Sequence, residues 1–188
     1  MTPEVGCSDG TREGYTSLTK YPRVAACSGA WDEPGLISTQ AQRPQCNRKS
    51  GNTGSNTDGA GCSAADLCAA GWHVCTSAQE LADVPNGCAD ATSAFTGFNS
   101  VFFATAQHAQ ALSCTTNGQG MNNVYGCGNF GSPPDHSCQP LDRFLHDTDC
   151  SNVPPWSCSN GPPGTSQTEL DDITKSGSSH GGVLCCKD

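Results

Sequence analysis

Fourteen cysteines, an even number, run from one end of this 188-residue chain to the other: Cys7, Cys27, Cys46, Cys62, Cys68, Cys75, Cys88, Cys114, Cys127, Cys138, Cys150, Cys158, Cys185 and Cys186. Whatever the chain folds into must bring these sulfurs together, so they constrain the fold more than any hydrophobic pattern does. Zinc binding would need paired Cys-x-x-Cys knuckles, and no such pair occurs. The expectation is seven disulfides formed in an oxidising compartment, and hence a secreted, extracellular protein. Fourteen cysteines allow on the order of 100,000 complete pairings, so spacing alone does not reveal the connectivity.

The composition explains why such a chain needs bridges. Hydrophobic residues make up 35% and aromatic residues 6%, against 22 Gly and 12 Pro. Little apolar area is buried per residue, and disulfides make up the deficit by restricting the unfolded state. Net charge is −9 with nine basic residues, and no Lys/Arg cluster exceeds Arg48-Lys49. Nucleic acid is therefore not an expected partner, because phosphate binding needs concentrated positive charge. No apolar run is long enough for a membrane span. The start, Met1-Thr2-Pro3-Glu4, has neither a basic n-region nor an apolar h-region. Met1 is accordingly read as a start placed where a natural signal peptide has been removed.

Residues 1–188 read as one domain, with a loop-rich N-terminal elaboration over 1–61 and a core over 62–188. The stretch 47–61 has almost no apolar side chain and reads as a surface excursion tethered by Cys46 and Cys62. Ser63 to Gly71 has an N-cap Ser, helix formers and a terminating Gly, which predicts a helix. Trp72 to Cys75 reads as a short strand, and Ser77-x-x-Glu80 has the spacing of a capping box. Val101 to Thr105 is the best strand by composition. The region 115–156, rich in Gly, Asn, Pro and Asp, predicts a bridged long loop with one helical turn around Leu141 to Leu145. Gly182 to Cys186 predicts a final apolar strand. Neighbours in a strand face opposite ways, so Cys185 and Cys186 should bond different partners. The fold class expected is a small, disulfide-rich α+β domain with long irregular loops.

Three segments, in order, resemble the C-type lectin-like domain over roughly residues 62–188. Ala65-Asp66-Leu67-Cys68-Ala69-Ala70-Gly71-Trp72-His73-Val74 looks like that family's helix-one motif. Ser77 to Leu81 matches the start of its second helix, and Gly182-Val183-Leu184-Cys185 looks like its last strand. The resemblance implies that Cys68 bridges to Cys185 or Cys186. It also implies a place for calcium and sugar. Pro133-Pro134-Asp135 and Pro155-Trp156-Ser157-Cys158 fall where the family carries its calcium-binding tripeptide and its Trp-Asn-Asp. Asp135 and Trp156 match, whereas Pro133, Ser157 and Cys158 replace oxygen ligands that a hard cation needs. Trp156 has a second reading, as a core anchor beside a disulfide.

Asp147 and Asp149, beside Asn152, are the close carboxylate pair of the long loop, so the cofactor expectation is none or one structural calcium held there. His73, in a short strand, reads as structural and half-buried. His136 is adjacent to Asp135, but sequence neighbours rarely face each other. No nucleophile-elbow, zinc-protease or P-loop motif occurs, and bonded cysteines offer no thiol nucleophile, so no enzyme is expected. The leading expectation is a secreted binding module that recognises glycan or an extracellular protein surface through 115–156. It would stack its ligand on Tyr125 or Phe130 and use Asn amides. The alternative is a self-associating, cross-linked structural subunit of an extracellular matrix, sheath or filament.

Overall fold

The computed structural model of the protein describes residues 3–95, 99–107, 123–134, 136, 138–144, 150–158 and 169–188. Eight short strands dominate the described residues: β1 Val24–Ser28, β2 Trp72–Val74, β3 Phe102–Ala104, β4 Val124–Gly128, β5 Asp142–Phe144, β6 Trp156–Ser157, β7 Thr174–Lys175 and β8 Gly181–Lys187. Helical structure among the described residues is confined to single turns, of which Glu169–Asp172 (α1) is α-helical. No helix among them is long and apolar enough to cross a membrane.

The main sheet is organised around β8. β1 runs antiparallel along one edge of it, from Val24 opposite Cys186 to Ser28 opposite Gly182. On the other edge, β3 pairs in parallel with Gly181–Val183 and β2 pairs antiparallel with Cys185–Lys187. β4 and β5 extend the sheet beyond β3. Such a strand needs a start that both neighbours can approach. A Cβ at Gly181 would lie 2.0 Å from the Phe102 carbonyl oxygen, and one at Gly182 would lie 2.0 Å from that of Cys27. Only glycine admits these contacts. β1 comes from the N-terminal 61 residues, so that part of the chain shares the core of the rest.

Six disulfides staple the described residues: Cys7–Cys27, Cys46–Cys62, Cys68–Cys185, Cys75–Cys186, Cys88–Cys127 and Cys150–Cys158. Cys138 is also disulfide-bonded, and Cys114 lies outside the described residues. Cys185 and Cys186 do point to opposite faces of β8 and take different partners. Cys68 takes Cys185, one of the two partners that the resemblance implies.

The helix expected from Ser63 to Gly71 shortens to a 3-10 turn, Ala64–Leu67. Its cap is as expected: the Asp66 carboxylate accepts the Ser63 N–H at 2.9 Å. The same carboxylate also accepts N–H groups of Gln45, Cys46 and Arg48, which ties the 47–61 loop to the core. Cys68 then leaves the helix in extended conformation, pairs its backbone antiparallel with that of Cys7 and is disulfide-bonded to Cys185. Tertiary pairing overrides the local propensity. The helical turn expected at 141–145 is corrected to strand β5, which pairs with β4. The region 115–156 is therefore not one long loop. β4 and β5 lie within it, and β6 begins at its end.

Candidate functional site

The strands that break up the 115–156 region also decide the fate of its aromatic residues. Tyr125 on β4 is 0% exposed and Phe130 is 3% exposed, so neither can stack on a ligand, a correction to the expectation. Phe130 packs among Phe102, Phe144 and Trp156, with ring centroids 4.4, 5.1 and 5.2 Å away. Trp156 is likewise in the core rather than at a ligand site. Its indole N–H donates to the His180 carbonyl at 2.9 Å, and its ring meets Trp31 edge-on at 5.6 Å. β4 is buried on both faces from Val124 to Cys127, which accounts for Tyr125. Composition marked these rings as available but could not report the strand that buries them.

Asp135, Asp147 and Asp149 lie outside the described residues. Asn152 is exposed at the end of the single turn Cys150–Asn152. Cys158, at a position where the family carries a calcium ligand, is bonded to Cys150. Two groups of metal-ligating residue types come together elsewhere, Cys46/Cys62/Asp66 and Cys75/Glu80/Cys186. In both, the two sulfurs are bonded to each other and offer no thiolate.

What the fold does assemble is an open cleft of about 810 Å³ between the 82–92 segment and the 128–142 segment. Its floor is built from below. Tyr15, fully buried, donates its hydroxyl to the Gly87 carbonyl at 2.8 Å, and Cys88 is bonded to Cys127 of β4. Asn86, in left-handed conformation, opens the turn Gly87–Asp90 and donates its amide to Asp90 at 3.0 Å. On the opposite wall, Asn129 folds its side-chain oxygen onto the Gly131 N–H at 2.9 Å. Asn86, Asn129, Gln139, His136 and Asp142 are the strongly polar side chains of the lining, with Pro134 and Pro140 among its apolar surfaces.

Two of these form a pair. His136 Nδ1 lies 3.0 Å from Asp142 Oδ1, while Asp142 Oδ2 accepts the Gly128 N–H at 3.0 Å. Burial at the start of β5 pushes the Asp142 carboxyl above its usual value, with the Gly128 and His136 contacts pulling the other way. The sequence placed His136 beside Asp135. The partner the structure supplies is Asp142, six residues on, and no spacing rule announces it.

A smaller recess of about 330 Å³ lies on the other side of the 82–85 segment, lined by Lys20, Tyr21, Arg23, Glu80 and Asp83 among others. Lys20 is already paired with Asp90 at 2.8 Å, and Tyr21 donates to the same carboxylate. Glu80 is likewise paired, with His73 at 2.7 Å.

No family model matches the chain, and no solved structure matches it.

Proposed function

We propose that this protein is a secreted, non-enzymatic recognition module with a C-type-lectin-like fold, and that the cleft between 82–92 and 128–142 takes a glycan. The observation that carries the reading is the chemistry of the lining. Carboxamides of Asn86, Asn129 and Gln139 and the His136–Asp142 pair converge on one open space between rigid, disulfide-bonded walls. Such groups suit ligands dense in hydroxyls, and a stapled frame presents them at low ordering cost. Leu18 is the one large hydrophobic side chain exposed among the described residues, which favours polar over apolar recognition.

Support for the lectin-like fold is the bond from Cys68 to Cys185, together with a capping-box turn following β2. Export is supported by the same bridges, which persist in oxidising compartments. The calcium site of the family is not carried over, because Pro133, Ser157 and bonded Cys158 lack the carboxamide and carboxylate oxygens that it uses.

A glycan array run with and without EDTA tests the reading, using the natural protein and the double variant Asn129→Ala/Gln139→Ala. Binding that survives chelation and is lost in the variant supports it. Binding abolished by EDTA and by Asp135→Ala would put the site at the family's calcium position instead. Size-exclusion with light scattering separates this reading from a cross-linked building block, since a recognition module runs as a discrete species and a building block as polymers.

A further inference from the structure

One side chain in the cleft has its hydrogen-bonding sense set by the fold. Asp142 is 8% exposed and anchored at both oxygens, by the Gly128 N–H and by His136 Nδ1. An ionised carboxylate only accepts hydrogen bonds, so Nδ1 of the neutral ring carries the proton. The lone pair is then on Nε2, which bonds no described protein group. The imidazole is 64% exposed and lines the cleft, so Nε2 is open to a ligand. Among the described residues, the cleft lining contains no Lys or Arg, and Asp142 is the one carboxylate. Asp90, behind Asn86, is engaged by Lys20, Tyr21 and Asn86 itself. Asp135 lies outside the described residues. The Tyr15 hydroxyl, beneath the floor, is committed to Gly87.

Resting on the recognition reading above, we infer that His136, held by Asp142, makes this cleft selective for neutral, hydroxyl-rich ligands over carboxylate- or sulfate-bearing ones, by accepting a ligand hydroxyl at Nε2. A hydroxyl has a proton to give to that lone pair. A carboxylate or sulfate group has none at neutral pH and, among the described lining residues, would face the lone pair, the Asp142 charge and no cation.

Two measurements decide it. In the free protein at neutral pH, imidazole ¹⁵N shifts should show His136 protonated at Nδ1, and in Asp142→Asn that preference should weaken. A ring protonated at Nε2 overturns the inference without reference to any ligand. Neutral oligosaccharides and uronate-bearing ones of equal length are then titrated against the natural protein and His136→Phe, a change at an exposed ring that leaves the core intact. The natural protein should prefer the neutral set, and His136→Phe should weaken neutral binding about five- to tenfold, the worth of one hydrogen bond, while sparing acidic binding. Equal or better binding of the acidic set, or neutral binding unchanged in His136→Phe, overturns the selectivity and leaves recognition standing. If neither set binds, the recognition reading itself fails and the selectivity falls with it.

Discussion

Cys68 and Cys185 stand 117 positions apart in the chain and are bonded, with their Cα atoms 5.5 Å apart. Next to them Cys186 bonds Cys75, so β8 is clamped through both faces to the segment 68–75. In the chain-entropy account, a loop of this length restricts the unfolded state by about 4 to 5 kcal/mol, against about 3 kcal/mol for a loop the size of Cys46–Cys62. The double variant Cys68→Ala/Cys185→Ala should therefore lose more stability than Cys46→Ala/Cys62→Ala in guanidinium unfolding. Equal losses would mean that the long bridge does not organise the fold.

Arg12 donates to four backbone carbonyls, those of Glu4, Val5, Tyr15 and Tyr21, while its guanidinium stacks over Trp72 at 5.6 Å. Burial lowers its pKa to about 10, still far above neutral. A compact ammonium cannot span that fork of acceptors. Arg12→Lys should cost about 2 kcal/mol, the worth of charge-assisted bonds left unmade, read from a shift in unfolding midpoint.

The pH dependence of stability should contain two opposing parts. His73 lies between Glu80 (2.7 Å) and Asp188 (2.6 Å). Its hydrogen bond to Glu80, with help from Asp188 and against partial burial, raises its pKa to about 9. These pairs contribute fully below the ordinary imidazole value of 6.5 and are lost as pH rises through about 9. The ring is a third exposed, so screening keeps the effect to about 1 kcal/mol. Lys175 behaves in the opposite sense. It is fully buried, its ammonium donates to the carbonyls of Gly29 and Gly177, and burial lowers its pKa to about 7. The cost of burying the charge is full below about 7 and is relieved as pH rises toward 10.5. Thermal unfolding between pH 6 and 10 should rise with pH in His73→Gln and fall in Lys175→Met. A flat profile in both would show that neither group is linked to folding.

Tyr125 is fully buried, and its hydroxyl has no hydrogen-bond partner among the described residues. Removing an unpaired buried hydroxyl costs nothing and spares a desolvation penalty. Tyr125→Phe should be neutral or stabilise by up to about 1 kcal/mol in chemical denaturation, and should leave ligand binding unchanged. Loss of binding in this variant would show that the hydroxyl contacts ligand, which its burial denies.

Much of the frame was legible in the sequence because its signals are local. Ser63 and Ser77 mark real caps, Phe102–Ala104 and Gly181–Lys187 are strands, and adjacent cysteines in a strand must diverge. The cleft was not legible, because it depends on which distant segments meet. Asp142 faces His136 only because β5 pairs with β4, and β5 was itself hidden in a stretch whose composition suggests loop. Phe130 was misplaced for the same reason: an aromatic residue in a Gly- and Pro-rich segment reads as exposed until the cluster around Phe102 is seen, whereas the reading of Trp156 as a core anchor beside a disulfide holds. Asn86 and Asn129 carried no signal beyond that of turn residues.

The central claim is that ligand binds in the cleft bounded by 82–92 and 128–142. An amide chemical-shift titration with the neutral oligosaccharide that binds best on the array tests it directly. Saturable shifts concentrated at Asn86, Gly87, Thr92, Gly128, Asn129 and Gln139, unchanged by EDTA, are the expected result. Shifts concentrated instead at Lys20, Tyr21, Arg23 and Asp83, or no saturable shift at all, would contradict it.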